Sequence, residues 1–222
     1  LALKKIKEIK KRKKTPILVG GTGLYFKALT DGLVKIPNIS IKKRNQIIRL
    51  QKKLGQKKFY QQLIKIDPLI KNKINLNDIQ RSIRAYEIKK FTKKSIIKWF
   101  EETLIFFEPN AFLKIYMDFP RDDLILKINK RVDKMFNNGA IKEVKNFNKL
   151  KVKRDYSPNK VIGIKEITNF IKGKSILEQT KEQISIKTRQ YAKRQNTWAR
   201  GQMMSWQKIN PNNLRLTLKK LT

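Results

Sequence analysis

The stretch Thr15-Pro16-Ile17-Leu18-Val19-Gly20-Gly21-Thr22-Gly23-Leu24-Tyr25 decides how the chain is read. Ile17-Leu18-Val19 is a short uncharged apolar run, which predicts a buried parallel strand over 15–19. Gly20-Gly21-Thr22-Gly23 then turns the chain into a helix that starts near Leu24 and ends before Gly32. Strand, glycine turn and helix are the pieces of a βαβ architecture. Glycines there allow an anionic group to approach the backbone closely, and the free N–H groups of a helix start favour negative charge. Thr22 adds a hydroxyl. No Gly-Lys-Ser/Thr follows, so this is not a Walker phosphate loop. Taken alone, such a turn serves as often to connect two elements as to bind a ligand.

Outward from this turn the texture is helical. Leu3, Ile6 and Ile9 recur among lysines and predict a helix over 1–13. It opens on Leu1 rather than Met and without an obvious cap, so an upstream segment is expected. Helices are predicted over 41–53, 56–65 and 77–91, with Asp67-Pro68 as a break and Asn77 as an N-cap. Residues 111–119 alternate and predict a strand. After Pro120, helices are predicted over 121–137, 139–150, 163–172 and 175–200. With no Pro/Gly/Ser linker, the helical block reads as an insertion. The expected organisation is a core α/β part over 1–40, a helical insertion over 41–108 and a return to the core over 109–222.

The charge balance narrows the partner. The chain has 54 Lys and Arg against 17 Asp and Glu, a formal net charge of +37. Such a charge opposes compaction and attracts polyanions, nucleic acid first. Forty-two of the basic residues are Lys, and the chain is also rich in Ile and Asn. Drift toward AT-rich codons explains part of that excess, which leaves the twelve Arg residues as the better guide. No Cys means no disulfide and no thiolate metal site, and no His removes the usual general base. Any proton transfer therefore uses Asp, Glu, Lys, Tyr or water. The longest uncharged apolar run, 17–26, is too short and glycine-rich to span a bilayer or to serve as a signal peptide.

Toward the end of the chain lies a patterned helix. Ile184, Tyr191 and Trp198 recur every seven residues and predict a buried stripe. Arg189, Lys193, Asn196 and Arg200 form a second stripe, and Lys187, Gln190, Arg194 and Thr197 a third. Two faces that mix cations with amide and hydroxyl donors suit a phosphate backbone; they also suit an ordinary solvated basic helix. Gln80, Arg84 and Glu87 share a helical side, with Arg81 close by. They read either as a surface ion pair or as paired guanidiniums for a phosphate or base. Arg131 and Asp133 are not facing partners, so Arg131 is expected to reach another element or an anionic ligand. Lys160 and Lys165 flank a turn at Gly163 that could track a sugar-phosphate strand.

Taken together and in order, these motifs resemble the tRNA dimethylallyltransferase family. The resemblance rests on the helix and strand of 1–19, Gly20-Gly21-Thr22-Gly23-Leu24-Tyr25, Gln80–Arg84 ahead of Ala85-Tyr86-Glu87, Arg131-Val132-Asp133, Lys160–Lys165 and above all Lys193–Arg200. It implies a P-loop-kinase-like parallel sheet with helices, interrupted by an all-helical insertion. It implies transfer of a dimethylallyl group from dimethylallyl diphosphate to N6 of adenine 37 beside the tRNA anticodon, with Mg²⁺ bound to the diphosphate. The implied tRNA contacts are Thr22, Arg44, Gln80, Arg81, Ser82, Ile83 and Arg84, then Lys160, Val161, Ile162, Gly163, Ile164 and Lys165. Lys193, Arg194, Gln195, Asn196, Thr197, Trp198, Ala199 and Arg200 complete them. Thr22 is also the catalytic candidate, and Arg121 and Arg131 are candidates for the diphosphate.

The sequence departs from the family's pattern in two ways. Ile164 stands where the family usually has Tyr. The phosphate-binding loop and the Asp-Ser-x-Gln segment with the catalytic aspartate do not occur in these residues. The Mg²⁺ ligands are expected in that preceding segment, and this polypeptide alone is expected to bind tRNA without prenylating it. A cytoplasmic monomer without membrane attachment is the expected setting. An adenylate isopentenyltransferase and a non-catalytic basic RNA-binding protein are the alternatives.

Overall fold

A run of ten residues rich in Lys but with apolar side chains three or four apart folds as α1 (Ala2–Lys11), which buries Ile6. The computed structural model describes residues 1–108, 110–153 and 156–219. They form two compact units: residues 1–23 with 113–222, and residues 24–112.

The unit of residues 24–112 is helical. It holds most of α2 (Gly23–Thr30), then α3 (Ile41–Ile66), α4 (Ile79–Thr92) and α5 (Ile96–Glu101). Ser40 caps α3 by accepting from the Lys43 N–H, and Asp78 caps α4 by accepting from the Arg81 N–H at 2.9 Å. The long α3 is kinked at Gly55 (φ 71°, ψ 162°), in the gap between the helices predicted over 41–53 and 56–65. Ile47, Phe59 and Leu63 of α3 bury themselves with Ala85, Tyr86 and Ile88 of α4, and with Ile70, Ile74 and Ile96. The Phe59 and Tyr86 rings lie 4.9 Å apart. The Tyr60 hydroxyl donates to the Ile74 carbonyl at 2.6 Å, which ties the connection back onto α3. Ile36 and Ile39 pack against this core too, so the unit extends upstream of residue 41.

The other unit packs α6 (Arg121–Asn137), α7 (Ala140–Lys149), α8 (Ile164–Ile171) and α9 (Leu177–Gln202) around Val132, Ala140, Val144, Ile167 and Ile184. Beside them β1 (Ile115–Met117) and β2 (Gln207–Ile209) pair in parallel, with Ile115 opposite Gln207 and Met117 opposite Ile209. A short α10 (Leu214–Lys219) follows.

The architecture is mostly helical with a small parallel sheet, and three local expectations are corrected. Residues 15–19 form no strand: Ile17 and Val19 are 82% and 91% exposed. Among the described residues the sheet has only β1 and β2, so this extended segment has no ladder, and its N–H and C=O groups gain nothing over water. The strand predicted over 111–119 shrinks to the three residues opposite β2. The N-cap expected at Asn77 is Asp78, whose carboxylate is the group that accepts from the Arg81 N–H. Three elements, α5, β2 and α10, were not expected, being too short to show periodicity.

Phe59 is fully buried at the centre of the α3–α4 core. Phe59→Ala is expected to destabilise this unit by about 3–5 kcal/mol, read as a drop in the urea midpoint followed by circular dichroism.

Candidate nucleic-acid interface

The glycine turn and the patterned helix lie against each other. The Gln195 amide on α9 donates to the Gly21 carbonyl at 2.6 Å across 174 residues of sequence. The six-membered edge of the Trp198 indole packs on the Gly23 backbone so closely that a Cβ at residue 23 would fall inside the ring's van der Waals surface. Gly23 is therefore a close-approach glycine. Thr22 sits exposed between these two pinned residues. Gln195 and Trp198, adjacent to the stripes read as RNA-facing, turn toward the protein.

The rest of α9 divides accordingly. Ala199 is buried, Asn196 is half-buried, and Lys193, Arg194, Thr197 and Arg200 are exposed. The Thr197 hydroxyl donates back to the Lys193 carbonyl at 3.0 Å, and the Arg189 guanidinium donates to Glu182 at 2.9 Å. The expected stripe is corrected at its middle: Ile184 is buried, but Tyr191 is 43% exposed. Its ring lies 5.8 Å from the Arg194 guanidinium, an exposed stacking pair. Ala199 and Met203 supply the burial instead.

The turn of 160–165 is built on one carboxylate. Gly163 adopts φ 107°, which side-chain-bearing residues rarely tolerate. Glu166 accepts from the Gly163 N–H at 2.9 Å and from the Lys187 ammonium on α9. Burial pushes the Glu166 carboxyl up, but the Lys187 hydrogen bond, the N–H groups of Glu166 and Gly163, and the Lys187 charge together hold it below its ordinary value. Ile162 and Ile164 pack on the core and Gly163 is buried. Lys160, Val161 and Lys165 are the exposed members.

In the unit of 24–112, Gln80–Arg84 splits in the same way. Ser82 is buried and accepts from the Gln56 amide at 3.3 Å, and Ile83 packs on the core. Gln80 and Arg81 are exposed, with Arg81 held to Asp78 at 3.0 Å. Arg84 pairs with the fully buried Glu87, and Arg44 Nε of α3 lies 3.5 Å from the other oxygen of the same carboxylate. Glu87 was visible on the Gln80–Arg84 side of the helix, but its burial was not.

Arg121 opens α6 and Arg131 lies ten residues further along it, about 15 Å at 1.5 Å per residue. Both are exposed. Asp133 pairs with Lys181 of α9 at 2.9 Å. Tyr116 of β1 was missed altogether. Its phenol is raised above its ordinary value by burial and then by the Asp118 charge, and Arg200 opposes this. Tyr116, Asp118 and Arg200 thus share one electrostatic environment. Among the described residues no three carboxylates converge to hold a metal. The Mg²⁺ implied by the resemblance finds no protein cage among them. No described helix is long and apolar enough to cross a membrane.

Residues 1–202 match the family model for IPP transferase. The chain belongs to the IPP transferase family. It is 56% identical over 221 residues to a tRNA dimethylallyltransferase of Pelagibacter ubique, covering all of this chain and 71% of that protein. With the tRNA dimethylallyltransferase of Rickettsia massiliae it is 41% identical, over 99% of this chain and 62% of that one. The fold is similar to a tRNA delta(2)-isopentenylpyrophosphate transferase from Staphylococcus epidermidis, with TM-score 0.57 and 32% identity over 99% of this chain and 72% of that one. It is also similar to a eukaryotic dimethylallyltransferase described as acting on tRNA, with TM-score 0.69 and 30% identity over 89% of this chain and 50% of that one. These IPP transferases share the mostly helical fold with its small parallel sheet.

Gly23→Ala is expected to force the turn off α9 and to cost about 1–3 kcal/mol of overpacking. Trp198→Ala in the same chain should cost less than the sum of the two single changes, measured as a double-mutant cycle in denaturant. The depressed Glu166 carboxyl gives a pH signature. Its stabilisation is complete above the ordinary value of 4.5 and is lost as pH falls through the lower folded-state value. The thermal midpoints of the unmodified chain and Glu166→Gln should differ near neutrality and converge in acid.

Proposed function

We propose that the protein transfers the dimethylallyl group of dimethylallyl diphosphate to N6 of adenine 37, beside the anticodon of tRNA. The observation that carries this reading is the docking of Gln195 and Trp198 on the glycine turn. It sets an exposed hydroxyl, Thr22, beside a helix whose outer side offers Lys193, Arg194, Thr197 and Arg200. A helix that only tracked RNA would have no reason to immobilise the glycine turn that leads into α2. A free-nucleotide transferase would have no reason to carry so long a cationic face.

The physics of the reaction matches these parts. An adenine stacked in the anticodon loop must leave the stack before its amine meets an electrophile, which costs a few kcal/mol. Phosphate contacts on either side of the extruded base offset that cost, and they come from Arg and Lys. In this chain the exposed candidates are Lys160, Lys165, Lys193, Arg194 and Arg200, with Gln80, Arg81, Arg44 and the half-buried Arg84 in the other unit. Thr22, held still by its glycine neighbours, is the candidate to position the base or the reacting centre. Loss of diphosphate builds anionic charge, which N–H groups and guanidiniums stabilise, and Arg121 or Arg131 is the candidate for it. The amine sheds one proton after attack. With no His in the chain, a carboxylate is the base that suits it. The partners are tRNA and dimethylallyl diphosphate, and the setting is a cytoplasmic monomer.

The test supplies the full chain with labelled dimethylallyl diphosphate, Mg²⁺ and a tRNA anticodon stem-loop, and follows label in the RNA. Residues 1–222 are expected to bind stem-loops with adenine at position 37 more tightly than those with guanine, and label in the RNA would show that these residues suffice for transfer. Arg194→Ala is expected to weaken the adenine-containing stem-loop by about 1.5–3 kcal/mol, the range for a charged hydrogen bond. Equal loss across all RNAs, with no label transferred, would instead favour a nonspecific RNA binder.

A further inference from the structure

Glu87 is the one residue of the Gln80–Glu87 segment that combines a charge with complete burial: its side chain has no exposed surface. It lies on α4 next to the core residues Ala85, Tyr86 and Ile88. One carboxylate oxygen, Oε1, accepts from the Arg84 guanidinium one turn earlier. The other, Oε2, is 3.5 Å from Arg44 Nε on α3, within ion-pair reach but without a hydrogen bond. The two cations belong to different helices, and the acid joins them.

Stability does not account for this arrangement. A buried ion pair replaced by well-packed apolar residues is often neutral or more stable, and here Oε2 is buried without a donor. What the carboxylate does achieve is to hold two guanidiniums as neighbours that would otherwise repel each other. Each guanidinium has five N–H donors in a planar fork; Glu87 accepts a hydrogen bond from Arg84 and holds Arg44 by charge alone, at 3.5 Å. The Arg44 side chain remains 53% exposed and that of Arg84 38% exposed. Two half-exposed guanidiniums drawn to one carboxylate, each with N–H donors to spare, suit a tetrahedral oxyanion, because the Arg fork matches phosphate bidentately.

We infer that Glu87 is a positioning residue: its buried carboxylate joins Arg44 of α3 and Arg84 of α4 into a single clamp for one backbone phosphate of the RNA. Glu87 itself touches no RNA. The inference rests on the reading of this protein as a tRNA-binding transferase and adds how one of its phosphate contacts is built. Arg81, paired with Asp78 and more exposed, stands outside the clamp.

The experiment uses the full chain and an anticodon stem-loop RNA, with affinity measured across a salt series. Glu87→Gln keeps the shape and removes the charge. It is expected to weaken binding about tenfold, in line with a charge-assisted contact. It should also flatten the log–log salt slope by about 0.7–0.9, the share of one phosphate. Under turnover the loss is expected in KM for tRNA, with kcat and KM for the allyl donor retained. Arg84→Ala added to Glu87→Gln should cost less than Arg84→Ala alone, since the clamp is already open. A Glu87→Gln chain with a lower melting temperature but an unchanged salt slope overturns the inference, as do fully additive losses. If Glu87→Gln does not fold, Arg44→Lys and Arg84→Lys decide. Both keep their charge beside Glu87 but lose the fork, so weaker RNA binding at an unchanged slope supports the clamp and unchanged affinity overturns it. A wild-type chain that binds adenine-37 and guanine-37 stem-loops equally, with a normal slope, would count against the transferase reading and leave the clamp standing.

Discussion

Like-charge repulsion is the constraint under which this chain folds. With 54 cationic side chains and 17 anionic ones, elements can be drawn together only where apolar burial outweighs the repulsion or a carboxylate lies between the cations. Each unit places one glutamate inside for this purpose. Glu87 takes cations from α3 and α4, and Glu166 takes the Gly163 turn and Lys187 of α9. These acids sit beside the main apolar clusters, at the points where candidate RNA-binding residues enter from two different elements. The scarcity of acid makes these two buried glutamates a choice of which cations are held still and which are left to solvent.

The same division runs through α9. Its sequence looks like one continuous polar and basic motif, yet the helix presents it in three directions. Ala199 goes inward, Gln195 and Trp198 go to the glycine turn, and Lys193, Arg194 and Arg200 go outward. A helix repeats every 3.6 residues, so eight consecutive residues cover all of its sides. Not every member of the motif can touch RNA at once. Some of them act by holding the turn that carries Thr22.

Much of the helical architecture was legible because it rests on periodicity. The helices over 121–137 and 175–200, the break at Asp67-Pro68 and the interruption near Gly55 all follow from spacing and backbone chemistry. The sheet was less so. Ile17-Leu18-Val19 has the composition of a strand, but strand formation depends on a neighbour and composition does not reveal one. Residues 207–209 pair with β1 although Gln207 and Lys208 carry little β character. For the candidate site, residue types and order pointed to RNA. Burial was not legible: Ser82, Ile162, Gly163 and Ile164 lie in motif segments yet face inward or pack on a core, and Tyr191 lies on an apolar stripe yet faces outward. Glu87 looked like half of a surface pair until tertiary packing covered it.

The contact between Trp198 and Gly23 also limits how such a protein can diverge. An indole seated on a bare Cα leaves no room for a methyl group, so position 23 cannot gain a side chain while the indole stays. A lineage that gains a side chain at 23 must first shrink the aromatic ring at 198. The intermediate with both large groups would be selected against even if every RNA-facing residue were untouched. What position 23 can hold is therefore set by a ring 175 residues away in the chain.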